Sequence, residues 1–312
     1  MRRALFAFAL LLSFSASAED TIKIGLVTAL SGQSARAGEA ITRGLQVAID
    51  ELNAKGGVLG KKFELLRRDD EATPAKGVIA ARELLFKEKV TVLFGGLDTP
   101  VSIAIVPIVN EAKVPMMGPW AAGTPITKNG AQDNYVFRVS AVDEIVDKAM
   151  LQYSQRTFNA KNCGMILVNN PWGESNEKGL TAALAAKNMK AAGIEKFEGN
   201  DVDVVPQLTR LKSAGADCLF LVGNVGPSAQ VVKSLDRMAY DAMMLTALAI
   251  QAAGKTDGTA IRDGYYKIGK YEGLIKTYNK PFTPQVHDAV NENDYVWTQF
   301  IDNQIIPVGM SK

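Results

Sequence analysis

The chain has 312 residues, 47% hydrophobic and 22% charged, with 35 Lys plus Arg against 33 Asp plus Glu. This is an ordinary globular composition without a basic block, which argues against a nucleic-acid binder, and at this length a single core usually divides, so two domains are expected. One histidine, His287, and two cysteines, Cys163 and Cys218, do not make a zinc site.

The first residues carry Met1-Arg2-Arg3, an apolar run over 4–14 and Ala16-Ser17-Ala18. A positive start, an apolar stretch and an A-x-A site predict a secretory signal, residues 1–18, cleaved after Ala18. The run is shorter than the roughly 20 residues a membrane anchor needs, and Ser13, Ser15 and Ser17 interrupt it. Loss of Arg2 and Arg3 takes the basic residues from 35 to 33, equal to the acidic ones. The mature 294 residues (312 minus 18) are expected to be formally neutral, soluble and extracytoplasmic. Cys163 and Cys218 then form a candidate disulfide in an oxidising compartment; two buried thiols are the other reading, and spacing does not choose between them.

Strand and helix patterns alternate along the chain. Residues 22–27 read as a strand and 38–55 as a helix, with Ile41, Leu45, Ala48, Ile49 and Leu52 on one stripe and Gly56-Gly57 as its stop. A strand over 62–67, a helix over 74–86, a strand over 90–94, a helix over 100–111 and a strand over 114–117 follow. Residues 135–139 read as an extended crossing segment. A second series has a helix over 143–158, a strand over 164–168, a helix over 174–191, a strand over 194–198, a helix over 206–213, a strand over 218–222 and a helix over 228–238. Near the end, 295–301 alternates like a strand and Asn303-Gln304 reads as a turn. The alternation predicts an α/β protein of two doubly wound, parallel-sheet lobes joined near Ser140.

Ligands of open α/β sheets bind outside the carboxyl ends of the strands. Here those ends are Leu30-Ser31-Gly32-Gln33, Gly95-Gly96-Leu97-Asp98-Thr99, residues 118–123, residues 169–173 and residues 223–227, all rich in glycine and small polar residues. Thr99 is a fair N-cap with Pro100 at N1, and the free amides of such a helix start suit a small carboxylate. The plainer reading is a capped helix after a glycine turn, and the stretch alone favours it. Asp69-Asp70-Glu71 is expected to be a solvated turn. Neither G-x-x-x-x-G-K-[ST] nor a strand-following G-x-G-x-x-G is present, so no phosphate cofactor is indicated. His287 lies far from any elbow-like turn, and no nucleophile–base pair can be named, so an enzyme has little support.

The stretches IKIGLVTALSGQSARAGEAITRGLQVAIDELNAKGGVLGKKFELLRRDDEATP, VPMMGPWAAGTP, YVFRVSAVD, NPWGESN and AYDAMMLTALAIQAAGKTDGTAIRDG resemble the periplasmic solute-binding proteins of branched-chain-amino-acid-type ABC importers. The resemblance implies the type I fold: two lobes around a cleft, three crossing segments and closure on a ligand. It also implies a lobe I of residues 19–139 plus about 240–270, and a lobe II of 140–239 plus about 271–312. By loop position, Ser31, Gly96, Asp98, Thr99, Trp120, Ala121 and Ala122 would face the ligand from the first lobe, and Asn170, Trp172, Asn224 and Ser228 from the second. In that family backbone amides and a Ser/Thr hydroxyl hold a ligand carboxylate; Asp98 is not of that type.

Two departures qualify the resemblance. Amino-acid-binding members carry an acid soon after a loop like GNVGPSAQ to meet the ligand ammonium, and here Pro227-Ser228-Ala229 offers none. An unpaired buried ammonium is costly. Trp120 and Trp172 could instead enclose a flat or apolar acid from two sides, or pack beneath their loops. Second, Met238 is followed at once by Ala239-Tyr240-Asp241, where the family runs for several tens of residues. Two helical patterns therefore abut. Either they fuse or the chain turns near Ala239, and the shortened second lobe loses strands, leaving an unpaired edge and uncovered apolar helix faces. The expected function is the extracytoplasmic binding component of an ABC importer, taking a small organic anion (an aromatic or short-chain carboxylate, or a branched-chain amino acid). It would act as a monomer with membrane permease subunits as partners, without cofactor, metal or nucleic acid. The alternatives are a sensory binding module and a non-functional internal-deletion form.

Overall fold

A computed structural model describes residues 21–32, 34–198, 205–223, 229–274, 276–290, 298–301 and 304–307. The first lobe is a five-stranded parallel sheet in the order β2-β1-β3-β4-β5. Its strands are β1 (Ile22–Thr28), β2 (Phe63–Asp69), β3 (Val92–Gly95), β4 (Met116–Gly118) and β5 (Val136–Arg138). Helices α1 (Ala35–Ala54), α8 (Ala229–Ala253) and α9 (Gly258–Tyr265) cover one face, and α2 (Pro74–Arg82) and α3 (Thr99–Ala112) the other. A π-helical turn, Glu83–Lys87, extends α2, and the short α4 (Thr124–Thr127) follows β4. Strands covered on both faces need apolar residues at successive positions. Accordingly Leu26 packs under α1 and α8 while Val27 packs under α2 and α3. The strand order reverses between β1 and β3, which makes the crevice there the expected place for a ligand.

Residues 135–139 were expected to cross between lobes. They instead form β5, a fifth strand whose partner is β4. The crossing comes just after it, before α5 (Asp143–Phe158).

The second lobe has three parallel strands, β7-β6-β8: β6 (Cys163–Val168), β7 (Ile194–Phe197) and β8 (Cys218–Val222). Central β6 is buried at every position. Helices α5 and α6 (Pro171–Ala185) cover one face, and α7 (Val205–Ser213) brings Leu211 to the other, against Gly164. In β8, Phe220 and Val222 are buried whereas Leu219 and Leu221 are 44% and 60% exposed. Among the described residues no strand pairs with the outer side of β8.

The abutting helical patterns fuse. Helix α8 runs unbroken from Ala229 to Ala253, through a stretch without Gly or Pro to interrupt it. Ala239, Ala242, Met243, Ala249 and Ile250 are buried in the first-lobe core. Gly254, in the left-handed region at φ +70°, ends the helix with its amide on the Ile250 carbonyl.

Residues from about 271 onward were expected in the second lobe. The structure differs as far as residue 290. The hairpin of β9 (Lys270–Glu272) and β10 (Thr277–Asn279) buries Tyr278 in the first-lobe core, and Phe282 and Ala289 join it. The chain then lies beside β5: the Arg138 amide donates to the His287 carbonyl (3.0 Å) and the Ala289 amide to the Arg138 carbonyl (2.9 Å). The hairpin β11 (Thr298–Ile301) and β12 (Gln304–Pro307) pairs with itself, so Gln304 lies in a strand, and Asn303 falls outside the described residues. Among the described residues no helix is long and apolar enough to cross a membrane.

Candidate functional site

The loop after β3 is built around Gly96, in the left-handed region at φ +57°; a Cβ there would fall 2.2 Å from the Ser102 hydroxyl oxygen. Only glycine fits, because any side chain adds a clash to an unfavourable backbone angle. Helix α3 then starts one residue earlier than expected. Asp98 is the N-cap, without a side-chain cap bond, and Thr99 and Pro100 form the first turn. Thr99 does not cap because its buried hydroxyl serves another loop, accepting the Gly123 amide at 3.1 Å. A hydroxyl that accepts still has its own proton to donate. Ser102, one turn into α3, is 1% exposed, and its hydroxyl has no partner among the described residues.

The acidic turn after β2 is not the solvated feature expected. Asp69 accepts the Leu30 and Glu71 amides, each at 2.8 Å. Asp70 is 1% exposed; one oxygen accepts the Ala72 amide and the other has no partner. Burial, with the Asp98 and Asp69 charges, pushes its carboxyl up to about 6. Burial also raises Asp98 above the usual carboxylate range. Ser31 is exposed on the neighbouring loop after β1, beside the Asp69 carboxylate.

The loop after β4 is pinned by Arg138. This guanidinium has no exposed surface and donates to the carbonyls of Ala121 (3.2 Å) and Gly123 (2.9 Å), to the Thr127 hydroxyl (2.9 Å) and to Asp288 (2.8 Å). Ala121 is buried, and its carbonyl also takes the Ser140 hydroxyl. Trp120 is partly buried against the first-lobe core.

From the second lobe, Asn170 caps α6, its side-chain oxygen accepting the Trp172 and Gly173 amides at 2.9 and 3.2 Å. Trp172 packs partly on the second-lobe core and donates its indole N–H to Asp143 at 3.2 Å. The loops of the two lobes meet: the Thr124 amide donates to the Ser175 hydroxyl at 3.0 Å and the Asp143 amide to the Ala122 carbonyl at 2.9 Å. Thr99, the 120–123 loop, Asn170 and Trp172 are thus linked through hydrogen-bonded neighbours. Asn224, Ser228 and Gln33 lie outside the described residues.

Sequence reasoning passed over Arg138, Asp143, Asp147 and Ser102, and it read Asp70 as solvated. For Arg138 a signal existed, since an arginine inside the apolar stretch Tyr-Val-Phe-Arg-Val is rarely buried without partners. Asp143 and Asp147 are 3% and 0% exposed; burial, then the Asp143 and Glu144 charges, push Asp147 up to about 9. Cys163 and Cys218 are register partners on β6 and β8, joined with Cα atoms 4.5 Å apart. With Asp217 they are the one trio of metal-ligand type among the described residues, but the thiols are spent on each other and Asp217 accepts the Lys161 and Asn162 amides.

The family model for periplasmic binding proteins matches residues 21–239. The match ends within α8, at the junction where the two helical patterns fuse. The Leu/Ile/Val-binding protein homolog 3 of Brucella melitensis is 27% identical over 91% of this chain and 75% of its own length. Among solved structures, a type 1 periplasmic binding protein from Bordetella pertussis superposes with TM-score 0.81 at 20% identity, over 92% of this chain and 99% of that one. An ABC-transporter solute-binding protein of R. palustris in complex with benzoate gives TM-score 0.76 at 18% identity, over 93% and 96%. Two parallel-sheet lobes meeting at their loop-bearing rims, a family match over more than half the sequence and these likenesses agree: the chain belongs to the periplasmic binding protein family, in its branched-chain-amino-acid type.

Proposed function

We propose that this protein captures a small carboxylate-bearing molecule between its lobes and delivers it to the permease of an ABC importer, without transforming it. The observation that carries this reading is Thr99. Its hydroxyl joins two loops at the first-lobe rim while keeping a proton to donate, at the N-terminus of a helix whose dipole favours negative charge. Asp98 works against a bare anion there, since its carboxyl has no cap bond and is half-buried beside the same helix start. An aromatic acid or a branched-chain amino acid, the ligand classes named for the relatives, adds apolar surface to offset that repulsion. Export with cleavage after Ala18, and action as a monomer without a nucleic-acid partner, complete the reading.

Calorimetric titration of the mature chain with benzoate, 4-hydroxybenzoate, leucine and isoleucine tests it. At least one is expected to bind saturably, and Thr99→Val, which keeps the shape and loses the donor, is expected to weaken it by about 1.5–3 kcal/mol. If all four fail against a cooperatively melting protein, the reading is wrong. A second reading, a deletion form that binds nothing, draws on the exposed Leu219 and Leu221 and on α8 packing with the first lobe. Absence of a cooperative melt would favour it.

A further inference from the structure

Asp143 touches both halves of the candidate site. Its amide donates to the carbonyl of Ala122, in the first-lobe loop that Thr99 also grips. Its carboxylate accepts the indole N–H of Trp172, in the second-lobe loop capped by Asn170. The next residue continues the tie, as the Glu144 amide donates to the Thr124 hydroxyl at 3.1 Å and the Thr124 amide to Ser175. Asp143 is 3% exposed, with the side chains of Ser175 and Asn176 and the charge of Arg138 facing its carboxylate. A carboxylate that only capped α5 would bond the amides of its own first turn. Here neither oxygen has such a bond: one takes the tryptophan and the other has no hydrogen-bond partner among the described residues.

We propose that Asp143 is a positioning residue that holds Trp172 in register with the 120–123 loop and, by taking its indole N–H, makes that side chain an apolar wall of the ligand site. The proposal rests on the cleft reading above and narrows it. Tryptophan has one polar atom, a donor. With that donor turned to Asp143, Trp172 offers the ligand carbon surface alone, so the part of the ligand lying there is flat or aliphatic and carries no acceptor aimed at the indole. The polar end of the ligand falls to the first-lobe rim at Thr99.

The test uses the mature chain with 15N-labelled tryptophan. The chain has three tryptophans, and Trp172→Phe identifies the indole resonance of interest. Asp143→Ala is expected to speed exchange of that indole proton with water about tenfold, whereas Asp143→Asn, which keeps an acceptor oxygen, stays within about twofold. Unchanged exchange in Asp143→Ala overturns the proposal, whatever the protein binds. Titration with benzoate and with leucine gives the second readout. Asp143→Ala and Trp172→Phe are each expected to weaken the better ligand by about tenfold, and the double variant no more than either, because both break one link. Losses that multiply overturn the positioning role. If none of benzoate, 4-hydroxybenzoate, leucine and isoleucine binds wild type while the exchange result holds, the receptor reading and the wall fail and the Asp143–Trp172 tie stands. Should Asp143→Ala not fold, Asp143→Leu, which fills the site without an acceptor, takes its place in both measurements with the same expected and overturning results.

Discussion

Arg138 shows how much of the site hangs on one buried side chain. Its fork spans two carbonyls of the 120–123 loop, the Thr127 hydroxyl and Asp288, tying the ligand rim to the segment beside β5. Removing one partner of a buried pair leaves the other charge without compensation. Arg138→Met is therefore expected to lower stability in urea by about 3–5 kcal/mol, and Arg138→Lys to recover little of it, since a point charge cannot replace a planar fork. A loss below about 1 kcal/mol would show the network to be ornamental. The buried titratable groups give the second residue-scale prediction. Asp70, pushed up to about 6, favours the fold in its neutral form, so that contribution is whole below its ordinary value near 3.8 and fades as pH rises through 6. Asp147 does the same over a window reaching to about 9. His287 has the opposite sign: burial lowers it, so the fold loses stability as pH drops below its ordinary value near 6.5. Asp70→Asn keeps an acceptor for the Ala72 amide. It is expected to gain up to about 3 kcal/mol at pH 7 and nothing below pH 4 in denaturation curves across that range. An equal gain at both pH values would place the cause elsewhere.

At the scale of elements, the paired cysteines and β8 carry the next predictions. Cys163 and Cys218 close a loop with a sequence separation of 55 across neighbouring strands. In the chain-entropy view such a link contributes about 4 kcal/mol, so reduction or Cys163→Ser with Cys218→Ser is expected to lower the melting temperature of the second lobe. An unchanged melt would mean that the thiols act as packed hydrophobes. Within β8 the faces differ: Phe220→Ala should cost about 3–5 kcal/mol, while Leu221→Lys, at 60% exposed, should cost under about 0.5. The alternating lobes were legible because apolar stripes repeat at 3.6 and apolar runs are short and bounded. Three features resisted. β5 is three residues long, and nothing local distinguishes a strand paired with β4 from a crossing segment. Thr99 looks like a cap until its hydroxyl is seen to serve Gly123, 24 positions away. The return of 270–290 to the first lobe depends on Tyr278, Phe282 and the Arg138–Asp288 pair, contacts between residues far apart in sequence. The candidate loops themselves were readable from strand ends, but Asp143 sits inside a helix pattern, where an acid in the first turn is unremarkable.

For the whole molecule, the decisive element is α8. In the family resemblance the lobes close on their ligand, and such closure pivots at loops or element ends that absorb backbone change. Here Met238-Ala239, where the two helical patterns abut, lies inside a continuous helix whose later half is buried against α1 and α9. A helix interior does not bend without breaking its hydrogen-bond ladder, so this crossing moves with the first lobe as one body. Two further ties, the Thr124 amide to the Ser175 hydroxyl and the Asp143 amide to the Ala122 carbonyl, link the rims of the two lobes. Spin labels at Val47 on α1 and Phe158 at the end of α5, both exposed, report the separation of the lobes. A single narrow distance distribution is expected, shifting little on addition of saturating benzoate or leucine. Inserting Gly-Ser-Gly-Ser between Met238 and Ala239 should broaden it, because it returns a flexible joint to the place where the helix now runs through. A wild-type distribution already broad, or split into open and closed populations, would show that the remaining crossings suffice for closure and that the fused helix imposes no constraint.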